Sequence, residues 1–406
     1  MKRLSLRIAI ALFTFVVGVS VATALIVFSR FEEPRSDDPS LMVHQPEPEN
    51  IGEGEAVLEM VFVLDTTGSM SGLLEGAKQR IWGIVNEVMQ SPSRPAVRIG
   101  LVAYRDRGDR YVTQVLPLTS DLDKVYSTLM DYRAEGGGDG PENVRRALAD
   151  GVRRAGWSQK GSSRLAQIIF LVGDAPPHED YRDEPDTATT AAEAVRKGMI
   201  INTIQCGTQG DTKRVWQSIA SHGQGQYFSI AQDGGVRAIS TPFDEPLAAL
   251  GSRIGSTYMA YGGGAGTAGR LSREEAEERQ EALEATVATT AAPVAKAERA
   301  LNKALNKEAY ARDLIQSLEN GNVTLDSVRD EDLPDELQKL APAERSKEVE
   351  KRLTERRKLR EEIVSLSKQR DEFLAAERKK ESAGKQGFDA AVSAALKEQL
   401  ARKGLK

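Results

Sequence analysis

The sequence predicts an α/β fold with a doubly wound, mostly parallel central sheet flanked by helices, followed by an α-helical C-terminal region. Three observations support this prediction. Short apolar runs, in part β-branched, alternate with helical patterns over about two hundred residues. An aspartate follows one of these runs directly and a second follows another run after a single glycine, as at the carboxyl ends of parallel strands. Beyond about residue 272 the strand signals stop, and a charged sequence rich in Ala and Leu continues.

Residues 1–29 are predicted to be a transmembrane anchor or a signal peptide. Three basic side chains precede an uncharged run over 8–28: Lys2, Arg3 and Arg7. Twenty-one residues, at about 1.5 Å each, just cross a hydrocarbon core of about 30 Å. The positive flank favours an N-terminus inside and the bulk of the chain outside the cytoplasm, at a periplasmic or cell-surface location. The sequence Ala22-Thr23-Ala24 keeps cleavage and secretion open, although the apolar run continues beyond it.

A solvated spacer and an α/β domain are predicted next. Residues 30–53 are rich in Pro, Glu, Asp and Ser, a composition typical of a flexible spacer. Residues 54–258 carry the alternating pattern of the α/β domain. Its buried strands are predicted at 56–64, 97–104, 165–172 and 199–205. Its helices are predicted at about 72–90, 121–132, 141–155, 187–198, 211–221 and 233–255.

A glycine-rich linker over 259–271 and a charged α-helical tail over 272–406 complete the chain. Part of the tail has apolar residues near coiled-coil spacing, namely Leu359, Ile363, Leu366 and Phe373. Arg370 occupies a position where such a seam requires an apolar side chain. The last helix repeats apolar residues every four positions, at Phe388, Val392, Leu396 and Leu400. This stripe is expected to pack on this chain, on a second copy or on a partner helix.

Charge and cysteine content argue against nucleic-acid binding and exclude an intramolecular disulfide. Fifty-five basic residues nearly balance 60 acidic ones, and the net charge of −5 provides no basic field for nucleic acid. Cys206 is the single cysteine, so an intramolecular disulfide is excluded. Its apolar surroundings predict a small buried side chain.

Oxygen-bearing side chains are predicted to meet at one edge of the sheet. Asp65 follows the first strand directly, and Thr67 and Ser69 come next on a tight turn that Gly68 permits. Asp174 ends a later strand of the same predicted sheet. Carboxylate and hydroxyl oxygens are ligands for Mg²⁺, Mn²⁺ or Ca²⁺. The sequence therefore predicts a divalent-metal site, with Mg²⁺ the favoured ion.

The stretch Asp65-Thr66-Thr67-Gly68-Ser69 resembles the D-x-S-x-S element of von Willebrand factor type A domains, in its D-x-T-G-S-M form. The resemblance covers about 200 of the 406 residues. It implies a metal-ion-dependent adhesion site that contains the side chains of Asp65, Thr67 and Ser69. The family's site also takes a threonine from a second loop and an aspartate that Asp174 matches. The second loop here carries Asp139 in place of the threonine. Asp139 is therefore expected to add a third carboxylate in or next to the metal's coordination shell.

Several of these polar residues also have simpler structural interpretations. Asp139 is alternatively the N-cap of a helix that starts at Pro141. Ser71 is expected to be an N-cap, and His178 to be a surface residue rather than a metal ligand. Arg107-Gly108-Asp109, a tripeptide known from integrin recognition, is expected to be an ordinary turn.

The favoured function is a non-catalytic, divalent-metal-dependent protein-binding module. Its metal face would bind a protein partner, and its helical tail would serve for self-association or docking of a partner helix. The resemblance implies that a C-terminal helix, here 233–255, moves when a partner binds. One alternative is a structural scaffold in which the metal only stabilises the domain. A second is a phosphatase of the haloacid dehalogenase type, but that class requires an acid at position 67, where this chain has threonine.

Overall fold

The computed structural model describes residues 56–89, 95–159, 164–230, 239–306, 309–310, 312–381 and 388–405. The predicted anchor and spacer, residues 1–29 and 30–53, lie outside this part of the chain. Within the described residues, no helix combines the length and the apolar character needed to cross a membrane.

A six-stranded sheet forms the centre of the fold. Its strands are β1 (Ala56–Asp65), β2 (Ala96–Tyr104), β3 (Thr113–Thr119), β4 (Arg164–Gly173), β5 (Ile200–Cys206) and β6 (Gln224–Ile230). The strand order is β3-β2-β1-β4-β5-β6, and every neighbouring pair is parallel except β2 and β3. The predicted mostly parallel α/β fold is confirmed.

Two edge strands were missed by the sequence prediction. β3 contains Pro117 and is mostly half-exposed, and β6 places exposed Gln224, Gln226 and Ser229 among half-buried and buried residues. Strands at the edge of a sheet bury only part of their surface, so they do not need the continuous apolar runs of β1, β2, β4 and β5.

Twelve helices of the described residues surround and extend this sheet. They are α1 (Leu74–Met89), α2 (Leu122–Asp131), α3 (Val144–Arg153), α4 (Thr187–Arg196), α5 (Gly210–His222), α6 (Asp244–Gly255), α7 (Gly266–Thr290), α8 (Pro293–Leu305), α9 (Leu314–Glu319), α10 (Asp335–Gln338), α11 (Pro342–Glu381) and α12 (Phe388–Arg402). A 3-10 turn over Gly68–Gly72 precedes α1. Of the predicted helix 233–255, residues 239–255 are described, and the helix in this range is α6, which begins at Asp244.

The two faces of the sheet bury alternate residues of each strand. Leu58, Met60 and Phe62 of β1 pack in one core with side chains of α1, α2 and α12. Val61 and Val63 point the other way, into a core with α3, α4 and α5. This two-residue period is the geometry of a strand buried on both faces.

The C-terminal helices pack on the α/β domain. Leu247 and Ile254 of α6 share a core with Ala297 and Ala300 of α8 and with apolar residues of α11. The helix axes approach closely at Gly251, where an added Cβ would lie 2.8 Å from Cβ of Ala300. The tail is therefore joined to the domain by a buried apolar contact.

The glycine segment predicted as a linker is held by hydrogen bonds. The amides of Gly262 and Gly264 donate to Asp332, at 2.7 Å to its carbonyl and 2.8 Å to its carboxylate. Arg273 donates to the Gly262 carbonyl at 3.0 Å. Gly262, Gly263 and Gly264 all have φ between 81° and 89°, which only glycine adopts without strain. The segment thus makes a defined turn against the helical region.

The apolar stripe of α12 packs on this chain, the first of its three expected partners. Val392, Leu396 and Leu400 are buried in the core that contains α1. Beside them, the side-chain amides of Gln399 and Asn202 on β5 exchange hydrogen bonds of 2.8 and 3.0 Å. The last helix therefore closes one face of the sheet.

Truncation of this stripe is expected to destabilise the α/β domain. Leu396 is 2% exposed, and Leu396→Ala should lower the free energy of unfolding by about 2–5 kcal/mol, because a cavity remains. Exposed Glu398 on the same helix provides the control, and Glu398→Ala should change stability by no more than about 0.5 kcal/mol. Denaturant unfolding measures both. Equal effects would show that α12 is not docked on the sheet.

Candidate metal centre

The strand ends bring Asp65 and Asp174 to one rim of the sheet. Asp65 is the last residue of β1, and Asp174 directly follows Gly173, the last residue of β4, the parallel neighbour of β1. An added Cβ at Gly173 would lie 3.0 Å from Oδ2 of Asp65. The glycine therefore leaves space for the Asp65 carboxylate at this position.

A chain of hydrogen bonds joins the four strongest predicted ligands. Thr67 donates to Oδ1 of Asp65 from its hydroxyl at 2.6 Å and from its amide at 2.9 Å. The hydroxyls of Thr67 and Ser69 lie 3.1 Å apart. Ser69 in turn donates to Oδ1 of Asp174 at 2.9 Å, across 105 positions of sequence. The structure thus brings Asp65, Thr67, Ser69 and Asp174 together.

Burial raises the pKa of both aspartates. Burial raises the pKa of Asp65 to about 7; hydrogen bonds from Thr67 oppose this rise, and the charge of Asp174 adds to it. Burial also raises the pKa of Asp174. Oδ2 of Asp65 is buried without a hydrogen-bond partner. An unpaired carboxylate oxygen in a buried, acidic site is what a bound cation would neutralise.

Comparison with known proteins agrees with this arrangement. Residues 59–242 match the family described as von Willebrand factor A domain. Over 198 residues the chain is 41% identical to von Willebrand factor A domain-containing protein 7 of Rattus norvegicus, covering 47% of this chain and 21% of that protein. This part of the chain is therefore similar in sequence to von Willebrand factor A domains, and its mostly parallel six-stranded sheet has the fold of that family. Members of this family often bind a divalent cation.

Two other matches also cover only part of this chain. A putative ariadne-like RING finger protein, R811, of Acanthamoeba polyphaga mimivirus is 29% identical over 160 residues, which is 38% of this chain and 15% of that protein. The chain therefore spans about a fifth or less of these relatives. The crystal structure of the SpRpn10 VWA domain is 16% identical, with a TM-score of 0.33, and the match covers 44% of this chain and 89% of that one.

In this A domain, Asp139 lies beside His178. Its Oδ1 is 3.5 Å from Nε2 of His178, and its side chain is 62% exposed. The alternative interpretation of Asp139 as a helix N-cap is wrong, because α3 begins at Val144 and Asn143 caps it, accepting from the Arg146 amide at 3.1 Å. A ligand role for Asp139 remains a prediction.

Glu142 is the carboxylate that the sequence analysis missed. It is 2% exposed. An added Cβ at Gly137 would lie 2.8 Å from Oε1 of Glu142 and 3.1 Å from Cβ of Thr67, so Glu142 and Thr67 flank the same glycine. Burial, and then the charge of Asp65, raise the pKa of Glu142 to about 9. Its Oε2 is buried without a hydrogen-bond partner. Glu142 is thus a third carboxyl group near the predicted ligands.

The backbone of Glu142 explains its position. Its amide donates to the Pro176 carbonyl at 3.0 Å, and its carbonyl accepts from the His178 amide at 3.2 Å. These bonds tie the glycine-rich loop to the loop after β4. A glutamate three positions after Asp139 in that loop was the only signal available from the sequence.

Ser71 and the Arg107-Gly108-Asp109 tripeptide lie in loops next to the predicted ligands. Ser71 lies inside the 3-10 turn over Gly68–Gly72, so the prediction that it is an N-cap is wrong. Asp109 accepts from the amides of Asp106, at 3.1 Å, and Gly137, at 3.0 Å. The Arg107-Gly108-Asp109 turn therefore supports the glycine-rich loop of the A domain.

Proposed function

We propose that this A domain is a non-catalytic, divalent-cation-dependent protein-binding module. Asp65, Thr67, Ser69 and Asp174 would hold the cation, with Glu142 beside them. The observation that carries this proposal is the buried, unpartnered Oδ2 of Asp65, in a side chain linked through hydroxyl groups to a second aspartate. Among the described residues, no lysine, arginine or histidine donates a hydrogen bond to the side chains of this linked group.

The chemistry of these donors favours Mg²⁺. Every candidate atom is a carboxylate or hydroxyl oxygen, and small hard cations prefer such ligands. Ca²⁺ and Mn²⁺ are the next candidates. When bound, the cation supplies a positive centre that an acidic group of a partner can contact. Ser69 is exposed whereas Asp65 and Thr67 are buried, so the site opens to solvent on the Ser69 side.

Two observations favour an ion-binding site over the phosphatase alternative. Asp65 has no exposed surface, and a nucleophile must be reached by its substrate. Position 67 is a threonine whose hydroxyl is engaged with Asp65. Neither feature suits an aspartyl-phosphate mechanism, and both suit a site whose ligands surround an ion.

The membrane and tail assignments extend the proposal. Residues 8–28 would anchor the chain with the A domain outside the cytoplasm. The tail would report on the metal site through α1, which follows the Asp65–Ser69 loop and contacts α8: Nδ2 of Asn86 donates to Oε2 of Glu298 at 2.6 Å. The described C-terminal part of the predicted moving helix, α6, packs on α8 and α11. Movement of α6 would therefore carry the tail with it.

Partner capture tests this function against the scaffold alternative. The full chain is used as bait with Mg²⁺ or with EDTA, alongside Asp65→Asn and the control Asp211→Asn, which alters an exposed aspartate in the first turn of α5. We expect capture of a protein by the wild type and by Asp211→Asn in Mg²⁺ only, and none by Asp65→Asn.

The scaffold alternative makes a different prediction for the same samples. If the cation only fastens the loops, Asp65→Asn and EDTA should lower the unfolding temperature and leave capture unchanged. That outcome would overturn the proposed binding function while leaving the metal site intact.

A further inference from the structure

A second group of metal-ligating side chains lies on the same rim of the sheet. Asp106 follows β2, Asp139 lies in the glycine-rich loop, and His178 follows β4. One ligand atom from each lies within 4.8 Å of the other two. Nε2 of His178 is 3.3 Å from Oδ2 of Asp106 and 3.5 Å from Oδ1 of Asp139. Three potential ligands therefore face one small space.

The hydrogen bond at Nδ1 of His178 determines which nitrogen of the neutral imidazole carries the hydrogen. Nδ1 lies 2.9 Å from Oδ1 of Asp180. Because a carboxylate accepts, the Nδ1 hydrogen is used in this bond, and the neutral imidazole keeps its lone pair on Nε2. The His178 side chain is only 9% exposed, so the expectation that it is a surface residue is wrong, and its Nε2 has no hydrogen-bond partner. A buried nitrogen lone pair thus points between two carboxylates, which a cation would stabilise.

One aromatic side chain fixes two of the three groups. The Tyr181 hydroxyl donates to the carboxylate of Asp106, at 2.8 Å to Oδ2 and 3.0 Å to Oδ1. The Tyr181 ring stacks on the imidazole of His178, with centroids 4.1 Å apart and planes 10° from parallel. Asp106 and His178 are therefore held in place before any ion binds, while exposed Asp139 leaves an entry path from solvent.

We propose that Asp106, Asp139 and His178 form a second cation site, for a first-row transition ion of which Zn²⁺ is the best match. Imidazole with carboxylates is a common Zn²⁺ donor set, and a ligating histidine typically donates its other N–H to a carboxylate, as His178 does to Asp180. The first site offers oxygens only and favours Mg²⁺. The two sites on one rim thus differ in ligand chemistry, and Asp139 belongs to the second.

A proton is the rival occupant of Nε2. Burial alone lowers the pKa of His178, but its hydrogen bond to Asp180 and the charges of the other carboxylates outweigh this effect and raise it. A doubly protonated His178 would form an ion-pair cluster with the same neighbours. The rival interpretation requires no metal, so zinc binding and its dependence on His178 separate the two.

Equilibrium dialysis against Zn²⁺ with excess Mg²⁺, followed by elemental analysis, tests the proposal on the full chain. We expect one bound zinc per wild-type chain. His178→Gln should abolish this binding, and Asp180→Ala should weaken it about 10- to 100-fold through loss of imidazole orientation. His222→Gln, which alters an exposed histidine, should bind zinc like the wild type. Asp65→Asn should keep zinc while losing Mg²⁺, so failure at the first site is distinguishable from failure here.

Two further readouts decide the remaining cases. Imidazole ¹⁵N resonances should show Nε2 of His178 shifting on zinc addition, and no shift would overturn the proposal. Absence of bound zinc in the wild type, or zinc binding unchanged by His178→Gln, would also overturn it. Should His178→Gln not fold, Asp139→Asn alters an exposed side chain and must still weaken zinc binding.

Discussion

Replacement of Asp65 by asparagine is expected to abolish Mg²⁺ binding at the first site. Asparagine keeps an oxygen that accepts from Thr67, as Oδ1 does now at 2.6 and 2.9 Å, but it removes the negative charge that would attract the cation. At a Mg²⁺ concentration of about 100 Kd, the wild type should gain about 2.7 kcal/mol in free energy of unfolding, and the variant should gain none. Titration calorimetry and thermal unfolding with and without Mg²⁺ measure both effects.

The metal-free proteins provide the internal control for this prediction. Without Mg²⁺, Asp65→Asn is expected to be at least as stable as the wild type, because the wild type then holds a buried carboxylate with one oxygen unpartnered. Asp211→Asn, which removes an exposed charge, should bind Mg²⁺ normally. A variant at Asp65 that still binds Mg²⁺ with wild-type affinity would contradict the site assignment.

Loss of the Arg356 guanidinium is expected to be the most damaging single change in the tail. Arg356 on α11 forms an ion pair with Asp313, and neither side chain has exposed surface. Its Nε also donates to the Thr257 hydroxyl at 2.7 Å, just beyond α6. Arg356→Met should lower the free energy of unfolding by about 3–5 kcal/mol, because it leaves the Asp313 carboxylate buried and unpaired. Denaturant unfolding measures the loss.

Two companion variants make the cause identifiable. Arg357→Met alters the exposed neighbour on α11 and should change stability by no more than about 0.5 kcal/mol. Asp313→Asn combined with Arg356→Met should recover part of the loss. The amide oxygen can still accept from the Met259 and Ile315 amides, as Oδ1 of Asp313 now does at 3.1 and 3.2 Å. Equal stability of Arg356→Met and Arg357→Met would refute the docking of α11.

The central strands and the meeting of Asp65 with Asp174 could be predicted from the sequence. Strands buried on both faces need continuous apolar runs, and parallel neighbours end at the same rim, so local patterns carried this information. The edge strands β3 and β6 carried no such run. Glu142 was missed because its place beside Thr67 depends on how the glycine-rich loop folds, and sequence spacing does not give that path.

The role of Arg370 shows why the docking of the tail was not predictable. On sequence it only interrupts an apolar seam. In the structure it is 5% exposed and donates, at 2.7 Å in each case, to Asp244 on α6 and Glu298 on α8. Both partners are more than 70 positions away, and no local pattern identifies them. The residue that interrupts the seam is therefore one of the contacts that join α11 to its neighbours.

In the proposed site, oxygen atoms of Asp65, Thr67, Ser69 and Asp174 surround one divalent cation. A crystal structure of the full chain grown with Mn²⁺, with anomalous difference maps recorded at the manganese edge, would locate that ion. We predict an anomalous peak within bonding distance of the Asp65 carboxylate and adjacent to Ser69 and Asp174. A map with no peak at these side chains, from crystals in which they are well ordered, would contradict the claim.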